Sequence, residues 1–116
     1  MALSRDKRLR QTKDFRTVSR NGLSAKEGKL LLKAKPSKGQ VSRFGIVISK
    51  SVAKKAVERN RMRRLLKEAL SAQQNSLQSP HDIVLIALPG LSLHSLKEAE
   101  DYIEKLFSKA SLVLPL

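Results

Sequence analysis

The sequence predicts an α/β (α+β) two-layer sandwich, a single domain in which a small, mostly antiparallel sheet packs against about three helices. Three observations support this fold class. The chain has 116 residues, which is enough for one hydrophobic core but short for two. Its apolar residues recur at every second position in some segments and at helical spacing in others. No internal repeat or linker divides the sequence, so residues 1–116 are expected to form one domain.

The chain begins with a basic segment and a short predicted helix. Residues 1–11 are basic and lack periodicity, which predicts a mobile arm. Thr12 is a suitable N-cap for a helix that ends near Arg20, where Gly22 can stop it. Phe15 lies on the apolar face of this helix, and it can serve either as a core residue or as a platform on which a base stacks.

Three segments have the pattern of strands. Residues 29–35, KLLLKAK, alternate between an apolar face and a face with lysines, as in a strand with one buried side. A turn with Pro36 and Gly39 leads to FGIVIS at residues 44–49, and we expect these two strands to pair as an antiparallel hairpin. The third strand, DIVLIAL at residues 82–88, is apolar without alternation, which predicts a central position covered on both faces.

Two segments have the periodicity of amphipathic helices. From about Ala56 one apolar stripe at helical spacing consists of Met62, Leu65, Leu66, Ala69 and Leu70. At about 100° per residue, the opposite side carries Asn60, Arg63, Arg64 and Lys67. Ser95 and Glu98 have the spacing of a capping box. The stripe of the last helix follows them and consists of Leu96, Ala99, Ile103, Leu106, Phe107 and Ala110.

The charge is strongly positive and unevenly distributed. Lys and Arg number 24 against 10 Asp and Glu, a net charge of +14 that indicates a polyanionic partner. Residues 1–70 contain 21 basic and 5 acidic side chains, whereas residues 71–116 contain 3 and 5. The chain has no cysteine, which suits a reducing compartment, and no apolar run long enough to span a bilayer. We therefore expect a cytoplasmic protein with no membrane partner.

The residues needed for a protein-based active site are scarce. A nuclease that uses two metal ions needs several converging carboxylates, yet residues 1–70 contain only 5 acids. His81 and His94 lie in predicted loops without neighbouring ligands. We expect no catalytic residue and no metal site in this protein, which disfavours a self-sufficient nuclease.

The basic helix is best interpreted as a phosphate-binding surface. Five of its side chains crowd into six positions, although like charges at helical spacing repel: Arg59, Asn60, Arg61, Arg63 and Arg64. Arginine offers planar, bidentate donors to phosphate, and asparagine can reach a base edge or a 2′-hydroxyl. The plainer alternative is a solvated face. A membrane-surface helix would carry Trp or Phe on its apolar side, and a DNA-reading helix-turn-helix would need a helix where FGIVIS stands, so RNA is favoured over DNA.

At RNRMRR, residues 59–64, the sequence resembles the bacterial ribonuclease P protein component family. RLRQTKDF resembles the basic segment that leads to Phe15 in that family. FGIVISKSVAKKAVERNRMRRLLKEA resembles its strand, basic turn and RNR helix in order and spacing, and DIVLIA resembles its last strand. The resemblance covers nearly the whole chain.

This resemblance implies a fold, a function and a set of site residues. The sheet and the RNR helix would frame a cleft, with the helix in a left-handed crossover. The protein would be a monomeric subunit of an endoribonuclease that binds the catalytic RNA and the 5′ leader of precursor tRNA. The RNA, which would bind most of the Mg²⁺, would hydrolyse the phosphodiester that frees the mature 5′ end. Carried over by position, the RNA-binding residues are Arg59, Asn60, Arg61, Arg63, Arg64, Lys67, Lys50, Lys54 and Lys55, and Phe15 belongs to the leader cleft.

Three positions depart from the family pattern. Ser19 and Lys33 stand where relatives tend to carry aromatic residues, and Leu88 stands where an arginine often ends the last strand. Lys33 is therefore the expected leader-cleft residue on the first strand. Leader binding is then expected to depend mainly on charge. The affinity for the leader should fall more steeply with salt than in relatives that carry these aromatic residues. The alternative function is a small basic RNA-binding or ribosome-associated module with no role in cleavage.

Overall fold

In a computed structural model of the chain, the described residues form a four-stranded sheet that packs against two α-helices. The structure describes residues 23–37, 39, 41–77 and 79–110. The predicted arm at residues 1–11 and the predicted helix from Thr12 to Arg20 lie outside these residues. The described elements are β1 (Leu23–Glu27), β2 (Leu30–Pro36), β3 (Arg43–Val47), α1 (Ala56–Gln73), a short 3-10 turn (Gln74–Ser76), β4 (His81–Ala87) and α2 (Leu96–Lys109).

The strand order in the sheet is β1-β2-β4-β3. β4 lies between two neighbours, as predicted for an apolar strand without alternation, and it pairs antiparallel with β2 and parallel with β3. The predicted hairpin of β2 with β3 is therefore wrong. The two strands flank β4 instead, because β4 carries apolar side chains on both faces and can be buried from both sides.

The hairpin partner of β2 is β1, a strand that the sequence analysis missed. Glu27 faces Leu30 across a two-residue turn, and Gly28 in that turn has a φ of 56°, which glycine adopts without strain. A Cβ at Gly28 would lie 3.1 Å from the hydroxyl of Tyr102 in α2. Because all five residues of β1 are exposed or half-buried, this edge strand has only a weak apolar pattern.

α1 connects the two parallel neighbours, β3 and β4, and so forms a β-α-β crossover. The left-handed direction of this crossover stays a prediction of the resemblance. The other two strand pairings are antiparallel, so the sheet is mixed and mostly antiparallel, as predicted.

Both helices pack on the same face of the sheet, which gives the predicted two-layer sandwich. The inward side chains of β2 are fully buried and belong to one hydrophobic cluster with the predicted stripes of both helices. Leu65 is half-buried at the margin of the α1 stripe. In the described part of the chain, no helix is long and apolar enough to cross a membrane.

The N-terminus of α2 has the predicted cap. The Ser95 hydroxyl accepts a hydrogen bond from the backbone N–H of Glu98 at 3.2 Å, and the carboxylate of Glu98 accepts one from the backbone N–H of His94 at 3.4 Å. The first bond satisfies one of the amides that the first turn of a helix leaves without an intrahelical partner. The second holds the amide of the residue before the N-cap, rather than the N-cap amide of an ideal capping box. The cap fixes where α2 starts and thereby how its apolar stripe meets the sheet.

Candidate nucleic-acid interface

The chain leaves β3 through residues 48–55, which we call the basic loop. Ile48, Val52 and Ala53 in this loop pack against the hydrophobic core. A turn is closed by the hydrogen bond from Val52 N–H to the Ser49 carbonyl, 3.1 Å. The packing holds the apolar side of the loop to the protein, and its exposed side carries the predicted lysines Lys50, Lys54 and Lys55.

Beyond this loop, α1 turns four polar side chains away from its buried stripe. We call this set the outer face of α1: Asn60, Arg63, Arg64 and Lys67. Asn60 and Arg64 are exposed, whereas Arg63 and Lys67 are half-buried. Arg63 Nη1 donates a hydrogen bond to Asn60 Oδ1 at 2.9 Å. This bond orients the amide of Asn60 and one edge of the Arg63 guanidinium before any ligand arrives.

Arg59 lies in the first turn of α1 but points back toward the basic loop. Its Nη1 donates to the carbonyl oxygens of Ala53 at 2.9 Å and Lys54 at 2.8 Å. The side chain is only half-exposed, consistent with its place above the buried side of the helix rather than on the outer face. Arg59 therefore joins the helix to the loop that precedes it.

Arg61 also bonds to the protein backbone, at a distant point of the chain. Its Nη1 donates to the carbonyl oxygen of Leu93 at 2.8 Å. Leu93 is nearly fully buried and lies two residues before the Ser95 cap of α2. The first and last residues of the RNR triplet thus hold protein carbonyls, whereas Asn60 between them belongs to the outer face.

Lys33 lies elsewhere, on the opposite face of the sheet. Its neighbours Leu32 and Ala34 point into the core, so its side chain projects from the face that α1 and α2 do not cover. The strand pairing sets Lys26 and Lys35 on that same face. Lys26 was not predicted to lie there, because β1 was not predicted. Alternation on both sides of the Gly28 turn is the signal that could have found this second basic surface.

Arg43 and Asp82 form an ion pair on this second face, across β3 and β4. Arg43 donates to both carboxylate oxygens of Asp82, at 3.1 and 2.8 Å. The Asp82 side chain is only 4% exposed, so a paired cation is what makes its burial tolerable. The pair therefore connects β3 to β4 and neutralises one charge of this basic face.

The predicted leader-cleft residue Phe15 lies outside the described residues, as does Ser19, one of the departures from the family pattern. Leu88 directly follows β4 and is half-buried, and its backbone N–H donates to the Lys29 carbonyl at 2.9 Å. The described residues thus form two basic surfaces. One is the basic loop with the outer face of α1, and the other is the face of the sheet that carries Lys26, Lys33 and Lys35.

The two histidines make local contacts. His81 begins β4 and is buried, in contrast to the predicted loop position, and its Nδ1 lies 2.9 Å from the Ser79 carbonyl. His94 Nε2 lies 2.9 Å from the hydroxyl of Ser92. Among the described residues, no group of three or more His, Cys, Asp or Glu side chains is placed to hold a metal ion.

Of the eight acidic side chains in the described part of the chain, two lie in α1 and the others lie in α2, β1 and β4. Glu27 in β1 forms an ion pair with Lys109 at the end of α2, 2.7 Å apart. The hydrogen bond from Lys109 lowers the pKa of the Glu27 carboxyl, and the charges of Lys109 and Lys105 act in the same direction against the effect of desolvation. Near the basic loop, Glu58 lies in the first turn of α1, where a carboxylate complements the helix dipole.

Comparison with known proteins gives consistent matches over most of the chain. The family model described as Ribonuclease P matches residues 3–111. The ribonuclease P protein component of Synechococcus elongatus is 40% identical over 114 residues, which cover 90% of this chain and 93% of the relative. The ribonuclease P protein component of Synechocystis sp. is 32% identical over 115 residues, with 97% and 92% coverage.

The fold is similar to that of a solved structure. The RNase P protein from Staphylococcus aureus superposes with a TM-score of 0.83 over 93% of this chain and 98% of that chain. The two sequences are 21% identical, so this likeness concerns the arrangement of the sheet and helices. It supports the predicted α+β class and the single domain built on one mixed sheet.

Proposed function

This chain belongs to the ribonuclease P protein family, and on this premise we propose that it is the RNA-binding protein subunit of a ribonuclease P ribonucleoprotein. It binds the catalytic RNA and the 5′ leader of precursor tRNA in the cytoplasm, as a monomer within the holoenzyme. The RNA subunit, with Mg²⁺ bound mainly to it, carries out the endonucleolytic removal of the leader. The protein supplies binding and positioning.

One observation carries the proposal: α1 buries one side in the core and turns an ordered cationic side outward, directly behind a loop with three exposed lysines. The buried side includes Met62 and Leu66, so the orientation of the helix is fixed by packing. The outward guanidinium of Arg64 has no hydrogen-bond or ion-pair partner among the described residues. Unpaired donors that point outward from a helix of fixed orientation suit phosphate oxygens.

The proposed contacts divide between the two basic surfaces. The basic loop and α1 form the surface for the catalytic RNA and the adjoining leader. Its RNA-contacting residues are Lys50, Lys54, Lys55, Asn60, Arg63, Arg64 and Lys67, and Arg59 and Arg61 support this surface through their bonds to protein carbonyls. Lys33, together with Phe15, serves the leader. Because Lys33 shares its face with Lys26 and Lys35, the leader would be bound there largely through phosphate charge, and affinity should fall steeply with salt.

Single-turnover cleavage of a leader-bearing precursor tRNA at low Mg²⁺ tests this function. The reactions contain the ribonuclease P catalytic RNA alone, with the wild-type protein, or with Arg63→Ala/Arg64→Ala protein. We expect wild type to restore cleavage and the double variant to restore little of it. The matched control is Lys97→Ala/Lys105→Ala, which removes the same charge from exposed positions of α2 and should behave as wild type.

The outcomes also separate this function from the other candidates. If wild type leaves the cleavage by the RNA unchanged while binding leader-bearing and mature tRNA alike, the protein is a general RNA-binding module. Cleavage by the RNA-free protein after stringent purification would instead show a self-sufficient nuclease. Equal losses for the α1 and α2 double variants would mean that net charge, not the outer face of α1, accounts for the activity.

A further inference from the structure

Arg59 has a different environment from the other arginines of α1. Its Nη1 holds two consecutive carbonyl oxygens of the basic loop, those of Ala53 at 2.9 Å and Lys54 at 2.8 Å. Arg64, five residues later, projects from the exposed outer face. The two side chains are therefore suited to different tasks, although the sequence gives them the same chemistry.

The two carbonyls that Arg59 holds determine where the lysines of the loop stand. The carbonyl groups of Ala53 and Lys54 belong to the peptide planes on either side of Lys54, and the second of them leads directly to Lys55. Lys55 directly precedes α1, and its carbonyl accepts hydrogen bonds from the backbone N–H of Glu58 at 3.1 Å and of Arg59 at 3.2 Å. Fixing these planes fixes the point and the direction at which each exposed lysine side chain leaves the backbone.

A single guanidinium nitrogen is an effective clamp at this place. Hydrogen bonds from a charged donor are stronger than neutral ones, and the two acceptors have no regular strand or helix to pair with. Without Arg59 the loop would keep the packing of Val52 and Ala53 and the turn at Ser49. The segment of Lys54 and Lys55 would have no clamp between that turn and the start of the helix.

We propose that Arg59 is a positioning residue: it holds Lys54 and Lys55 in the geometry in which these two lysines bind RNA phosphate, and its effect on RNA affinity passes through them. This inference rests on the proposed function for the identity of the RNA. The clamp is also present in the free protein, because the two hydrogen bonds of Arg59 exist without RNA.

The first experiment tests the clamp in RNA-free protein. Hydrogen exchange is measured at the amide of Glu58, which donates to the Lys55 carbonyl at the start of α1. Arg59→Met keeps the apolar stem and removes the donors, and it should speed this exchange about tenfold, the loss expected for a charge-assisted hydrogen bond. The matched variant Arg64→Met should leave it unchanged, and the amides of β2 and β4 should stay protected in both. Unchanged exchange in Arg59→Met would overturn the proposal.

The second experiment is a double-mutant cycle on binding to the ribonuclease P catalytic RNA. Arg59→Met should weaken binding in the wild-type background and change it less than twofold in a Lys54→Ala/Lys55→Ala background, because its effect passes through these lysines. Arg64→Met should weaken binding by the same factor in both backgrounds. Equal losses for Arg59→Met in both backgrounds would show that Arg59 contacts the RNA itself.

The same measurements keep the two proposals apart. If the wild-type protein does not bind the catalytic RNA, the proposed function fails, and the role of Arg59 in RNA binding fails with it. If wild type binds and the losses from Arg59 and the lysines are additive, only the positioning role of Arg59 is overturned.

Discussion

The two helices pack against each other on one face of the sheet, but their charges are distributed differently. Both carry a glutamate in the first turn, where the helix dipole favours it, and α2 also carries Lys109 in its last turn. α1 has no basic residue in its last turn. It concentrates arginines in its first half, where like charges at helical spacing repel each other. The charges of α2 thus serve the stability of the fold, whereas those of α1 are explained by a ligand outside it.

The largest expected effect is a loss of stability, and it tests whether the buried side chains of both helices hold them to the fold equally. Leu66 in α1 and Leu106 in α2 are both fully buried. Leu66→Ala and Leu106→Ala should each lower the free energy of unfolding by about 2–5 kcal/mol, because each leaves a cavity in the shared core. Denaturant unfolding measures both losses. A loss for Leu66→Ala far below that for Leu106→Ala would contradict this expectation, since α1 would then be held by something other than its buried stripe.

A smaller effect is expected at the cap of α2. Ser95→Ala removes the acceptor for the Glu98 amide and should cost about 1 kcal/mol of unfolding free energy. Ser108→Ala is the matched control, because Ser108 is an exposed serine of the same helix and should cost far less. Thermal unfolding of the two variants gives the difference. Equal losses would mean that the cap does not contribute to the stability of α2.

Substitutions on the outer face of α1 should change stability and RNA binding in opposite directions. Arg64 has the cations Arg61 and Lys67 at helical spacing and only Glu68 to offset them. Arg64→Ala should therefore raise the free energy of unfolding by about 0.2–0.5 kcal/mol, while it weakens the binding of catalytic RNA. Denaturant unfolding and RNA titration of the same preparation measure both. A variant that lost stability and kept its affinity would show that Arg64 serves the fold.

The smallest effect concerns the contact of α2 with β1 and depends on pH. Lys109 lowers the pKa of Glu27 in the folded protein. The resulting stabilisation is fully present above the unfolded-state pKa of the carboxyl and is lost as the pH falls through the folded-state pKa. Wild type should thus lose more stability on acidification than Lys109→Met does. An NMR titration that found the Glu27 pKa at its ordinary value would remove the basis for this difference.

The sequence predicted most of the elements because their signals are local. The helical stripes around Leu66 and Leu106, the cap at Ser95 and the alternation at Leu30 and Leu32 all follow from spacing within one segment. The structure confirms each of them. The central position of β4 was also predictable, because a strand without alternation has no face suited to solvent.

The order of the other strands was not predictable, because it depends on pairing between distant segments. Adjacent strands β2 and β3 suggested a hairpin, yet β4, which comes after α1 in the chain, lies between them. β1 was missed since an exposed edge strand has little apolar pattern.

The roles of the arginines were likewise hidden from the sequence. The partner of Arg61 is a carbonyl 32 residues away, and the partners of Arg59 depend on the conformation of a loop. Nothing in the residue types separates these two side chains from Arg63 and Arg64.

The salt dependence of binding to the catalytic RNA tests the contrast between α1 and α2 most directly. Each phosphate contact contributes roughly 0.7–0.9 to the slope of log K against log salt concentration. Arg63→Ala/Arg64→Ala in α1 should lower the magnitude of this slope by about two such contributions. Lys97→Ala/Lys105→Ala in α2 should leave the slope at its wild-type value. If both double variants lower the slope equally, the protein binds RNA through its net charge, and the account of α1 as the RNA-binding helix is contradicted.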